Sequence, residues 1–169
     1  MSPDVFPHLT DGLFLVAATI AVHSAGTLVM LWALVRYRPA AEQHFNFLDN
    51  TALVTVVVIA ILCLHLAEVV IWAVFYQTRR CFPDFQTAAY FSLVSYSTVG
   101  YGNVELERAW RVLGGLEALT GTLMVSWSTA LMLGSVTWIY KRRMDHWRVR
   151  PSGQTTAERP TPAGRGAIR

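Results

Sequence analysis

The five consecutive residues Thr98-Val99-Gly100-Tyr101-Gly102 have the types needed to bind a bare cation through backbone oxygens. Removing water from a monovalent cation requires a column of oxygen ligands, which backbone carbonyls supply without a fixed charge. Gly100 and Gly102 can adopt the left-handed dihedrals that turn neighbouring carbonyls toward one axis. Thr98 can add a hydroxyl, whereas Val99 and Tyr101 are expected to point away from the axis. One chain would supply one wall of such a site.

Long apolar runs on both sides of this pentapeptide must position it. The chain has 169 residues, of which 53% are hydrophobic and 15% are charged. This balance is typical of a membrane protein rather than of a soluble domain. A helix needs about 20 apolar residues to cross a bilayer core, and three runs, at about 13–35, 52–76 and 112–140, satisfy that requirement.

Residues 82–103, which include the aromatic pair Tyr90-Phe91 and the pentapeptide, resemble the pore module of the potassium-channel family. The resemblance extends over residues 50–140. It implies an outer helix at 51–76, a pore helix at 84–97, a selectivity filter at 98–102 and an inner helix at 109–140. A further transmembrane helix at 13–36 makes the chain similar to a small prokaryotic-type potassium channel with one extra N-terminal helix.

The resemblance implies an all-α membrane protein with three transmembrane helices, a re-entrant pore helix and a filter loop, tetrameric around a central pore. Four copies of the chain would complete the ring of oxygens. The carbonyls of Thr98, Val99, Gly100 and Tyr101 would then bind K⁺ as the permeant ion, with no other cofactor. The implied partners are three further copies of the chain and the lipid bilayer.

Two positions depart from the family pattern and direct attention to other residues. The family commonly has Asp after the filter, where this chain has Asn103, and some members have Glu in the pore helix, where Val94 stands. Glu68 lies in the outer helix at about the depth of the filter, and an ionisable residue within a span is a functional candidate. We therefore predict that Glu68 hydrogen-bonds near Tyr96 and supports the filter.

His65 lies three residues before Glu68, on the same helix face. A metal site is one interpretation of this pair, but the sequence offers no obvious further ligand. Structural hydrogen bonding of Glu68 is therefore the favoured interpretation. Glu117 is a second acid within an apolar run.

The charges predict the orientation of the chain in the membrane. Residues 141–169 contain eight Lys or Arg and two acids, and Arg36 and Arg38 follow the first run. The positive-inside rule places the N-terminal segment 1–12 outside and the basic tail 141–169, disordered from about 151, in the cytoplasm. A multi-pass plasma-membrane protein is expected. The net charge of +3 lies beside the membrane and does not indicate nucleic-acid binding.

The first helix contains Ala17, Ala21 and Ala25 at intervals of four, which predicts a small-residue face for close helix packing. It is expected to pack at the periphery of the pore module. No ladder of arginines is present, so the helix is not a voltage sensor. His23 is expected to make an interhelical hydrogen bond.

In the inner helix, Gly121 and Gly134 are candidate gating hinges, although glycine also permits close helix contact.

A potassium-selective channel is the function that these patterns favour. The alternatives are a potassium-transporter subunit and a non-conducting membrane adaptor that retains the pore fold. Transporters with related pore loops usually carry four repeats in one chain, and no internal repeat is visible here. An enzyme is not indicated, because the sequence lacks a nucleophile–base set, a phosphate loop and a metal cluster.

Overall fold

The computed structural model describes residues 5–36 and 47–148, in which all regular elements are α-helices. They are α1 (Val5–Arg36), α2 (Phe47–Thr78), α3 (Phe85–Tyr96) and α4 (Arg111–Arg148). The predicted disorder after residue 151 lies outside the described residues.

Three of these helices contain segments that are long and apolar enough to cross a membrane, namely His8–Arg36, Thr51–Thr78 and Arg111–Thr137. α3 has 12 residues, so it is only about 18 Å long and cannot cross a bilayer core. The predicted all-helical membrane fold with three spanning helices is confirmed.

The three long helices are all longer than the sequence indicated, and α2 begins at Phe47 and ends at Thr78 rather than spanning 51–76. α1 begins at Val5 rather than at residue 13, because its polar first turns have partners in the neighbouring loops. Asp11 accepts a hydrogen bond from Arg79 Nη2 at 2.8 Å, and the His8 ring lies 3.8 Å from that of Trp110. α4 continues to Arg148, because the basic residues after the apolar run are good helix formers.

An aromatic core connects α2, α3 and the loop between them. Trp72 and Tyr76 of α2 are fully buried, and Tyr76 makes edge contacts with Phe82 and Phe91 at ring distances of 6.0 and 5.4 Å. Leu113 of α4 belongs to the same cluster. This core fixes the short helix α3 against the two long helices beside it.

α1 packs against both α2 and α4, through a different face from the predicted one. Its buried side chains recur every four residues and are Leu15, Thr19, His23 and Thr27. Ala17, Ala21 and Ala25 are exposed in the single chain, so the alanine face is not the one that packs against α2 and α4. Polar side chains in an apolar environment need partners, and Thr19 accepts a hydrogen bond from Trp72 Nε1 at 3.0 Å.

α3 begins at a side-chain cap. Asp84 has an extended backbone, and its carboxylate accepts hydrogen bonds from Thr87 N at 2.8 Å and from Thr87 Oγ1 at 2.9 Å. These bonds favour the charged form and lower the pKa of Asp84. The cap predicted from the sequence is confirmed, and it sets where the helix starts relative to the segment that follows it.

Candidate functional site

The segment 98–102 follows directly after α3 and has an alternating backbone. Thr98, Gly100 and Gly102 have positive φ angles of 61°, 58° and 73°, and Arg80 is the other described residue with a positive φ. Val99 and Tyr101 therefore lie between left-handed residues while keeping ordinary dihedrals. Gly100 and Gly102 have the conformation that the sequence interpretation requires of them.

All five residues of this segment are exposed in the single chain. The Val99 side chain is 52% exposed and that of Tyr101 is 72% exposed. A Cβ atom added to Gly100 or Gly102 would meet nothing within 4 Å. A larger residue at these glycines is therefore disfavoured within the chain by backbone strain and not by a clash.

The end of α3 holds the start of this segment through backbone bonds. Thr98 N donates to Ser95 O at 2.9 Å, and Gly100 N donates to Val94 O at 3.3 Å. Val94 thus contacts the segment through its carbonyl group. Asn103, at the other end, accepts a hydrogen bond from Tyr90 Oη at 3.1 Å, so both ends of the segment are connected to α3.

The hydroxyl groups before the segment do not bond to its backbone. Ser95 Oγ donates to Gly114 O of α4 at 2.9 Å, and Ser97 Oγ donates to Leu93 O at 2.6 Å. The third hydroxyl, that of Tyr96, donates to Glu68. The three hydroxyls thus bond within α3 or to the neighbouring helices.

Glu68 lies at the centre of a buried polar cluster, called here the Glu68 cluster, which also contains His23, His65 and Tyr96. Tyr96 Oη donates a hydrogen bond to Glu68 Oε2, and His23 Nδ1 lies 2.8 Å from Glu68 Oε1. His65 Nδ1 is 3.5 Å from Glu68 Oε2 and 3.0 Å from Tyr96 Oη. One carboxylate therefore joins α1, α2 and the last residue of α3.

Sequence reasoning identified two bonds in this cluster and missed its extent. The expected interhelical hydrogen bond of His23 is confirmed, as is the bond between Glu68 and the region of Tyr96. The sequence did not indicate that His23 lies beside this pair: ligand atoms of His23, His65 and Glu68 all lie within 4.8 Å of one another. The polar residues Thr19, His23 and Thr27 recur every four residues along α1, and this spacing was the sequence signal that this face of α1 is buried.

A second buried carboxylate, that of Glu117, connects α4 with α2 and α3. Glu117 of α4 is fully buried and accepts a hydrogen bond from Tyr76 Oη at 2.9 Å. Ser92 Oγ of α3 donates to the other oxygen of Glu117. Two buried acids, one on each long neighbour of α3, thus hold the helix that precedes the segment 98–102.

Gly121 lies where α4 touches the end of α3. A Cβ atom there would collide with the backbone carbonyl of Tyr96. Close helix contact, one of the two interpretations of this glycine, therefore has direct structural support. A Cβ atom added to Gly134 would meet nothing within 4 Å, so packing within the chain does not explain that glycine.

Residues 56–137 match the sequence model of a protein family described as "Ion channel". The matched segment runs from α2 into α4 and contains all of α3 and the segment 98–102. Residues 56–137 are thus similar to the two-helix channel domain of the pore-module family, in agreement with the resemblance found in the sequence. The comparisons with curated proteins and with solved structures found no match.

Proposed function

We propose that this ion-channel protein is a homotetrameric, potassium-selective channel whose filter is the segment 98–102. The observation that carries the proposal is the sequence Thr98-Val99-Gly100-Tyr101-Gly102 at the end of a short helix, with left-handed dihedrals at Thr98, Gly100 and Gly102. Carbonyl groups of Thr98, Val99, Gly100 and Tyr101 from four subunits replace the water around K⁺. K⁺ then passes down its gradient.

The exposure of the segment supports assembly around it. A chain that supplies one wall of a pore leaves that wall open until its neighbours are present. Val99 and Tyr101, which both have large hydrophobic side chains, lie exposed next to the glycines. A closed ring of four identical chains covers such surfaces without leaving an open end.

The charge distribution supports an orientation in the plasma membrane. Arg36 ends α1, and the basic segment after residue 140 follows the spanning part of α4 (Arg111–Thr137), so positive charge lies at the same ends of two spans. By the positive-inside rule, this supports a cytoplasmic tail and an external N-terminus. The segment 98–102 then opens toward the external solution, as a filter loop between two helices with cytoplasmic far ends requires.

Ion flux into liposomes tests the proposal and its alternatives together. We expect the purified chain to have four times the 18.9 kDa chain mass in detergent, and to pass K⁺ and Rb⁺ much faster than Na⁺. Gly100→Ala and Gly102→Ala should abolish this selectivity, because alanine is strained at positive φ. Gly115→Ala is the matched control, since Gly115 lacks a positive φ and has open space for a Cβ.

Each alternative predicts a different result in this assay. A non-conducting adaptor gives no flux from correctly assembled protein. A subunit of a larger transporter gives no flux unless its other components are added. A dimeric or monomeric particle, or equal K⁺ and Na⁺ flux, would overturn the proposed channel.

A further inference from the structure

We propose that His23, His65 and Glu68 form a binding site for a divalent transition-metal ion of the zinc class. Their ligand atoms lie within 4.8 Å of one another, and they come from two helices that are both long enough to span the membrane. This site is separate from the segment 98–102, and its occupation does not depend on ion conduction.

The separations of the ligand atoms fit a small metal ion. Zinc binds imidazole nitrogen and carboxylate oxygen at about 2.0–2.2 Å, so two ligands of a tetrahedral ion lie about 3.3 Å apart. His23 Nδ1 lies 2.8 Å from Glu68 Oε1, and His65 Nδ1 lies 3.5 Å from Glu68 Oε2. Small side-chain rotations are therefore enough to bring the three ligands onto one ion.

The donor set selects the class of ion. Two imidazoles with one carboxylate are a known zinc ligand set, whereas calcium and magnesium prefer oxygen ligands alone. Imidazole also suits copper, nickel and iron, and the geometry of a bound ion distinguishes these metals. An arrangement with His and Glu three residues apart on one helix is also used in the metal sites of helical bundles.

Further groups hold these ligands in place. Ser128 Oγ lies 3.4 Å from His23 Nε2, the ring nitrogen that does not contact Glu68. Tyr96 Oη bonds to Glu68 and lies 3.0 Å from His65 Nδ1, so it is close enough to orient both residues or to complete the coordination. Such outer partners commonly raise metal affinity by fixing the ligand orientation.

Burial favours a cation at this site. Glu68 and His23 are fully buried, in a part of the chain where a lone carboxylate is costly. A divalent ion offsets the negative charge and occupies the lone pairs of both imidazoles. The His65 side chain is 14% exposed in the single chain, so it is the ligand nearest the surface of the chain.

Calorimetric titration with Zn²⁺ tests the site. The full chain is purified in detergent, stripped with a chelator and titrated. We expect one Zn²⁺ per chain, and we expect His23→Gln and His65→Gln each to weaken binding at least tenfold, because glutamine keeps a hydrogen-bonding group but is a poor zinc ligand. His8→Gln is the matched control, since His8 packs against Trp110 and lies outside the cluster. The double variant His44→Gln/His146→Gln, which alters the other two histidines of the sequence, is a second control for adventitious binding.

Cobalt gives an independent, spectroscopic readout of the same site. Four-coordinate Co²⁺ with nitrogen and oxygen ligands absorbs visible light intensely, whereas hydrated, octahedral Co²⁺ absorbs weakly. We expect the intense spectrum from the unaltered chain and its loss in His65→Gln, the substitution at the partly exposed position. Absence of Zn²⁺ binding, equal binding by both glutamine variants and the parent, or a weak octahedral Co²⁺ spectrum would each overturn the site.

Discussion

Glu68 is a single carboxylate whose two oxygens face different helices. One oxygen is close to His23 of α1, and the other accepts a hydrogen bond from Tyr96 at the end of α3. Because Tyr96 is followed by one residue and then by Thr98, a change at Glu68 is transmitted to the proposed filter through a very short path. The residue therefore links the position of α1 to the backbone of the segment 98–102.

Glu68→Ala should destabilise the conducting filter, and Glu68→Gln should have a milder effect. Alanine leaves the buried hydroxyl of Tyr96 without its acceptor, which typically costs about 1–3 kcal/mol. Glutamine keeps an acceptor for Tyr96. Inactivation of the K⁺ current and thermal dissociation of the oligomer are the measurements, both made in chelator so that no bound metal contributes.

Leu66→Ala, at an exposed position of the same helix, controls for a general effect of substitution in α2. Glu68 would be an ordinary interfacial residue if Glu68→Ala conducted, inactivated and assembled like the parent chain.

At the scale of elements, α3 is hydrogen-bonded to α2 and to α4, and its last residue lies in close contact with the α4 backbone. α2 and α4 each provide a buried acid, and Gly121 lets the α4 backbone approach the carbonyl of Tyr96. A side chain at Gly121 cannot be accommodated unless α4 or the last turn of α3 moves. The contact therefore sets the distance between the inner helix and the proposed filter.

Gly121→Ala should destabilise the protein by about 1–3 kcal/mol, the usual cost of extra volume in a packed interior. Gly134→Ala is the matched control, because a Cβ atom there would meet nothing within 4 Å. Thermal unfolding or dissociation of both variants, measured side by side, checks the difference. Equal stability of the two variants would show that α4 relaxes away from Tyr96 without cost.

The spanning helices were predictable because each is encoded by a continuous apolar run. The alternating backbone of the segment 98–102 was predictable in part, since two of its three left-handed residues are glycine; Thr98 carries no such signal. These features depend on neighbours in the sequence, so a local pattern is sufficient to indicate them.

The packing face of α1 and the Glu68 cluster were harder to predict for a physical reason. In a membrane helix every face is apolar, so hydrophobicity does not show which face is buried. The alanines suggested one face, and the hydrogen bonds of Thr19 and His23 determined another. His23 and Glu68 are 45 residues apart, and no local pattern encodes a contact over that separation.

At the scale of the whole molecule, the distribution of charge predicts how the channel responds to voltage. The span of α1 contains Asp11 near its start and Arg36 at its end, without a series of arginines between them. Moving one elementary charge through the full field changes the free energy by about 2.3 kcal/mol per 100 mV. A chain without such charges has little means to couple its opening to the membrane potential.

The open probability of the reconstituted channel should therefore depend weakly on voltage. Single-channel recording in symmetric K⁺, without blocking ions on either side, measures this dependence. The expected slope is much shallower than that of a channel with an arginine ladder. A steep dependence would contradict the prediction and would require that K⁺ ions moving within the filter carry the gating charge.

The contact between His23 and Glu68 also bears on how the chain enters the bilayer during synthesis. α2 contains a carboxylic acid within its apolar run, and a charged residue near the centre of an isolated helix opposes translocon-mediated insertion by about 2.5–3.5 kcal/mol. Synthesis proceeds from the N-terminus, so that α1 and His23 emerge before α2. The order of helices along the chain thus supplies the acid with a partner before α3 and α4 have been made.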